Sequence, residues 1–389
     1  MESSHSGKIS SEATAVLRKH FILANGEVVP NQGQGYFPQD IQRLYHFPSH
    51  LTGRGQQVGI LEFSNGYSLT SAELFWQSHQ ISTPQVTFVS VDGTRNDRGV
   101  QPQDEEASLD LQWLGALAPQ AHILIYEASA GNTYAEFAQS MAQVLQYILE
   151  DTTYHPSVLS ISYGDAEATF GAMAVQKWAD LIAQLDAKGV TVCVATGDQG
   201  AYGMHRLNGD PIRHTDAPAT SPAAVAVGGT SLQPDGSEMA WTYLGPQNGG
   251  ATGGGVSNVF CTPEYQTALK LSTRGIPDVA LNADPATGYQ IVFQGQPAVV
   301  GGTSVSTPVF AALLTLVNQL RAETGRSPLS GVTQIIYQQE LSLGFRDIVR
   351  GNNTFNGVVG YDAVPGWDAC TGWGSLDATQ WVETLSKLP

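Results

Sequence analysis

The chain has 389 residues, 42% of them hydrophobic and 14% charged, a balance that suits one large globular domain or two ordinary ones and excludes a disordered or coiled-coil chain. Acids outnumber bases 35 to 18, for a formal charge of -17, the wrong sign for a phosphate-binding surface, so nucleic acid is not an expected partner. Three cysteines, Cys193, Cys261 and Cys370, are too few for a disulfide framework and wrongly spaced for zinc, with a single Cys261–Cys370 bridge left open.

Residues 1–35 are polar and mixed, without an apolar signal core, and no stretch reads as long enough to cross a bilayer. Tyr36 to Phe47 reads as a short helix. Val58 to Glu62 is an apolar strand, Ser71 to His79 a helix and Val86 to Val91 a strand. A helix from Glu106 to Leu117 stops before Pro119. Ile123 to Tyr126 is a strand, Tyr134 to Leu149 a helix, Val158 to Tyr163 a strand, Met173 to Leu185 a helix and Val190 to Ala195 a strand. Short strands follow at 224–227 and 291–293, then a long apolar helix from Val309 to Leu320. Short apolar strands alternating with amphipathic helices predict an α/β fold: a parallel sheet with helices on both faces.

The segment Gly301-Gly302-Thr303-Ser304-Val305-Ser306-Thr307-Pro308 runs straight into that last helix. A serine at a helix N-terminus meets unpartnered N–H groups and a positive dipole, which suit an attacking oxygen and the oxyanion it creates. A plain N-cap after a glycine turn is the competing reading. Gly228-Gly229-Thr230-Ser231 repeats the tetrapeptide but runs into a turn, so Ser231 reads as structural.

A serine nucleophile needs a base. None of the nine histidines, His205 and His214 in a polar loop among them, sits in a helix start that suits a histidine triad. Carboxylates offer an alternative. Glu106 and Asp110 are four apart, hence on one helix face. If they are close and shielded, one should hold a proton; an exposed acidic helix end is the other reading. Asp198, in Gly197-Asp198-Gln199-Gly200, follows a buried strand whose carboxyl end would face a ligand crevice, and it also fits a turn.

Together these segments resemble the sedolisin, or serine-carboxyl peptidase, family, most of all its kumamolisin-like members. The similarity runs from about Tyr36 to the C-terminus. The resemblance implies a subtilisin-like fold, residues 36–389 as the catalytic domain and residues 1–35 as an extension or prodomain remnant. It implies Ser304 as nucleophile, Glu106 as its base, Asp110 as support of Glu106, and a protonated Asp198 as oxyanion donor. The carboxyl network extends to Glu62 and Tyr163, where similar enzymes have Trp. Gln199 replaces the family's Ser beside Asp198. Ser162, Tyr163 and Gly164 resemble the substrate-binding edge, Gly253 and Gly254 a partner strand, and Asp216 a pocket acid that favours a basic side chain. Asp347 and Asp368, with the carbonyls of Ile348, Val364 and Gly366, resemble a site for one Ca2+, a cation that takes six or more oxygens.

The implied activity is endopeptidase cleavage of peptides or unfolded proteins in acid, by a monomer with no membrane partner. The family analogy implies a secreted or periplasmic location, with an intracellular one left open. An inactive peptide-binding relative, a histidine-dependent hydrolase and a purely structural domain are the rival readings.

Overall fold

The structure is a computed structural model that describes residues 35–203, 211–243, 249–338 and 340–389. The expectations for residues 1–34 and for His205 lie outside the described residues.

The main sheet is built from strands β1 (Gln57–Glu62), β2 (Gln85–Ser90), β3 (His122–Glu127), β4 (Val158–Ile161), β5 (Thr191–Ala195), β6 (Val225–Leu232), β7 (Glu238–Ala240) and β8 (Val279–Asn282). Their order is β8-β6-β5-β4-β1-β3-β2. All of these pair in parallel, and β7 adds an antiparallel edge to β6. The chain leaves β1 for one side of the sheet and returns to build the other. The crevice beyond the carboxyl end of β1 is therefore a topological switch point, where open α/β sheets place ligands.

Side-chain alternation divides the core. Val58, Ile60, Ile123 and Ile125 face one cluster, whereas Leu61, Leu124 and Tyr126 face the other. The first face is covered by helices α1 (Pro38–Leu44), α2 (Leu69–Ser78) and α3 (Glu105–Leu117), and by α6 (Thr303–Glu323) and α7 (Ala378–Leu385). The second is covered by α4 (Tyr134–Glu150) and α5 (Ala172–Ala187). Every residue of α3 is buried, because α6 packs along it on the shared face.

Strands β7 and β8 and helix α7 were not expected from the sequence, and two expected elements near the site differ in extent. Helix α6 begins at Thr303 rather than Val309 and contains Pro308. That makes it long and apolar enough to cross a membrane by length and composition, contrary to expectation, but 94% of its qualifying 18-residue window is buried in the core. The second Gly-Gly-Thr-Ser copy lies within β6 rather than after it, with Ser231 paired to Met239. All three cysteines are free: Cys193 and Cys370 are buried and Cys261 is exposed, so the open disulfide does not form.

Candidate active site

Ser304 occupies the first turn of α6 and is fully buried. Gly302 precedes it with φ 108, a conformation that an L side chain rarely adopts. Proline lacks an N–H, so Pro308 leaves the Ser304 carbonyl without its helical donor. The Ser162 hydroxyl lies 3.3 Å from that carbonyl and 2.9 Å from Asp110 Oδ2. One serine thereby joins the nucleophile's helix to the carboxyl helix α3.

Glu106 and Asp110, one turn apart in α3, are both completely buried, which removes the reading as an exposed acidic helix end. Burial holds Glu106 well above the usual carboxylate range. Asp110 and Glu62 push in the same direction, Ser304 pulls down, and Asp198 adds a smaller upward push. Among the described residues neither Glu106 oxygen accepts a hydrogen bond of ordinary geometry. Such contacts are often loose before substrate binds. Burial likewise raises Asp110, opposed by Ser162. Glu62, at the end of β1, is raised by burial and by Asp110 and lowered by two donors: the Tyr163 hydroxyl at 2.8 Å and the Ser64 hydroxyl at 3.3 Å. Tyrosine therefore makes the side-chain link to Glu62 that the resemblance implied for this position.

Asp198 follows β5 and reaches Thr303, the residue before Ser304. Its Oδ1 accepts from the Thr303 N–H and the Thr303 hydroxyl, each at 2.9 Å. The Thr303 hydroxyl accepts from the Gly197 N–H at 3.0 Å. Asp216 reaches the same turn: a Cβ on Gly197 would stand 2.0 Å from Asp216 Oδ2. Asp216 is buried, in a short ribbon with Ala166. A Cβ on Gly164 would meet the Ala217 carbonyl of that ribbon at 2.4 Å. The Gly253 N–H donates to the Gly197 carbonyl, and the Gly253 carbonyl accepts from the Thr196 hydroxyl. Gly253 thus supports the Asp198 turn with both of its backbone groups, and Gly254 packs on the Ala369 carbonyl.

A C-terminal loop braces that turn. The Asn353 carbonyl accepts from the Ala201 N–H at 2.9 Å. Its side chain reaches the Gly254 carbonyl at 3.5 Å, and Asn356 donates to the Gln199 side chain at 3.1 Å. Gln199 is thus a bracing contact. At the base of this loop, Asp347 Oδ2 accepts the Gly366 N–H at 2.9 Å and Asp368 Oδ2 the Val364 N–H at 3.0 Å. Asp368 also accepts from the Cys370 and Thr371 N–H groups. Among the described residues no backbone N–H donates to the carbonyls of Ile348, Val364 or Gly366, and no cluster of three metal-binding side chains exists. Two carboxylates flanking a turn with available carbonyls fit a hard, oxygen-seeking cation.

Among the buried acids not singled out from sequence as site residues are Asp104, Glu105 and Glu127. Glu127 had a signal. Val58-Gly-Ile-Leu-Glu62 and Ile123-Leu-Ile-Tyr-Glu127 are apolar strands that each end in Glu.

The Subtilase family profile matches residues 96–358. Kumamolisin from Bacillus sp. (strain MN-32) is 39% identical over 360 residues, covering 87% of this chain and 62% of that protein. Human tripeptidyl-peptidase 1 is 32% identical over 264 residues, covering 63% of this chain and 44% of the relative. The chain thus spans roughly half to three-fifths of the length of these relatives. The structure of Pseudomonas sedolisin, a serine-carboxyl proteinase complexed with two molecules of pseudo-iodotyrostatin, superposes with a TM-score of 0.79 at 27% identity. That match covers 90% of this chain and 98% of the sedolisin chain. The fold, the family profile and these similarities place the chain in the subtilase family, within its sedolisin group alongside kumamolisin-like members.

Proposed function

We propose that the protein is a serine-carboxyl endopeptidase that hydrolyses peptide bonds in acid. The carrying observation is the convergence on Ser304 of two acids from different elements: Glu106 from α3, and Asp198, bonded to the neighbouring Thr303, from the end of β5. Three of the six described histidines find partners elsewhere, His46 on Asp377, His79 on Gln290 and His122 on Thr87.

In this reading Glu106 takes the Ser304 proton as the hydroxyl attacks the substrate carbonyl carbon, and later returns it to the leaving amine. Asp110 supports Glu106 and shares its proton. When Asp110 is protonated it can donate to Ser162, whose own proton then turns to the Ser304 carbonyl. The tetrahedral oxyanion accepts from the Ser304 N–H, in the first turn of α6, and from a neutral Asp198. Asp216, at the Asp198 turn, would favour a basic side chain on the substrate.

One Ca2+ belongs to the proposal, held by Asp347 and Asp368 with the carbonyls of Ile348, Val364 and Gly366. It supplies charge and cross-linking at the base of the bracing loop and takes no part in the bond-breaking steps.

The test is kcat/KM for an unstructured peptide from about pH 2.5 to 8, with folding checked at each point. Activity should be highest in acid, where Glu106 and Asp110 share one proton, and fall towards neutrality as the pair loses it. Ser304→Ala should lower kcat by at least about 10³-fold. A histidine base would give the opposite slope, climbing through about pH 6.5 to a plateau. That climb, or full activity in Ser304→Ala, rejects the proposal.

A further inference from the structure

Glu127 ends β3 and stands opposite Glu62 in the parallel register of β1 and β3. Residues paired across neighbouring strands project to the same face. Here that is the face of Ile60 and Ile125, which α3 covers. Both side chains are completely buried. Glu127 Oε1 accepts the Asn65 N–H at 3.0 Å, and among the described residues nothing donates to Oε2. The reaction as proposed has no use for Glu127, yet a buried carboxylate beside another is costly when both ionise.

We propose that Glu127 is a positioning residue of the carboxyl array, one that acts through Glu62 on the Glu106–Asp110 pair and helps to set the upper pH limit of the enzyme. The proposal rests on the serine-carboxyl reading and deepens it. The groups facing Glu127 are Glu62 from β1, Asp104 just before α3, Asp92 beyond β2 and the Asn65 N–H from the loop after β1. The three side chains are all acidic. Burial and then Glu62 hold Glu127 well above the usual carboxylate range, Asp104 and Asp92 add to this, and only Asn65 opposes them. Glu62 is in turn raised by burial and Asp110, and it raises Glu106. Glu62 is among the causes of the Glu127 shift, and repulsion between like charges is mutual, so a charge on Glu127 acts back on Glu62 and through it on Glu106, with Tyr163 and Ser64 as the donors that moderate it at Glu62. As pH rises, a charge that forms on Glu127 makes Glu62 and the catalytic pair hold their protons to higher pH. Removing that charge lets them go earlier.

The experiment is the pH profile of kcat/KM in Glu127→Gln, which keeps the shape of the side chain and can never ionise. At the acid optimum the variant should lose only a few-fold. Its alkaline limb should move to lower pH by about one unit, the scale of one like charge nearby. A purely structural role would lower the melting temperature and leave the limb in place, and that outcome overturns the inference. Should Glu127→Gln fail to fold, Glu127→Asp is compared with the parent, both carrying 13C-labelled glutamate. At the pH where the parent's activity has fallen by half, the infrared band of protonated glutamate should be the same in both, because Glu127 must carry its charge there to act. A parent band larger by one carboxyl would mean that Glu127 still holds its proton where activity falls, which also overturns it. A parent without an alkaline limb defeats the serine-carboxyl reading itself, whereas a parent limb that Glu127→Gln leaves unmoved defeats only the role given to Glu127.

Discussion

At the residue scale, Asp198 holds two hydrogen bonds on one oxygen. The Thr303 N–H and hydroxyl both end on Oδ1, so a proton on this acid belongs on Oδ2. In Asp198→Asn the amide oxygen can keep both Thr303 bonds while its nitrogen donates in place of the Oδ2 proton. The amide does not titrate. Residual activity should therefore extend to higher pH than in the parent, at a cost of up to about 10²-fold in kcat because a weaker donor faces the oxyanion. If the variant keeps the parent's alkaline limb, ionisation of Asp198 is not what ends activity. Ser231 supplies the internal comparison for the nucleophile. It carries the same tetrapeptide but lies within β6, so Ser231→Ala should leave turnover within a small factor.

At the element scale, the loop between Ile348 and Val364 spans from the proposed cation site to the Asp198 turn, through Asn353 and Asn356. A ligand bound only by the folded state stabilises it by mass action. A chelator should therefore lower the melting temperature of the parent, and Asp368→Ala should melt at one temperature with or without it. The expected difference is several degrees, and metal content measured alongside identifies tight binding. A parent that holds no calcium and melts unchanged with chelator contradicts the site. The strands and helices around this loop were legible in the sequence because buried parallel strands read as short apolar runs, and their helices carry the 3.6-residue period. The early start of α6 was hidden by Pro308 and the polar run before it. What sequence could not give was the burial of α3. A four-residue spacing of acids serves a solvated helix end equally well, and the choice was made by α6, some two hundred residues later in the chain. The Glu62–Glu127 juxtaposition was half legible: two strands with the same ending, whose adjacency only the strand order reveals.

At the scale of the whole molecule, Glu62, Glu106, Asp110 and Glu127 are buried carboxyls and Glu238 a partly buried one, all held above the usual range with desolvation the first cause in each. The folded state then binds protons more tightly than the unfolded chain. The stability this confers is fully present below the ordinary carboxyl pKa of about 4 and is lost as pH rises through the folded values. The urea midpoint of Ser304→Ala, which cannot digest itself, should fall between pH 4.5 and 7.5. A midpoint that rises over this interval would show that these acids are ionised in the folded protein. Acid thus favours both the fold and the proposed chemistry. Ser304 also begins the helix that fills the centre of the core, and its partner Glu106 lies in another helix buried along its whole length. The reacting groups consequently share the rigidity of the core and cannot remodel around a compact substrate. The bending needed to bring a scissile bond to such a nucleophile must come from the substrate chain. Low pH supplies that pliancy, because it unfolds many proteins whose own carboxylates are ionised in the native state.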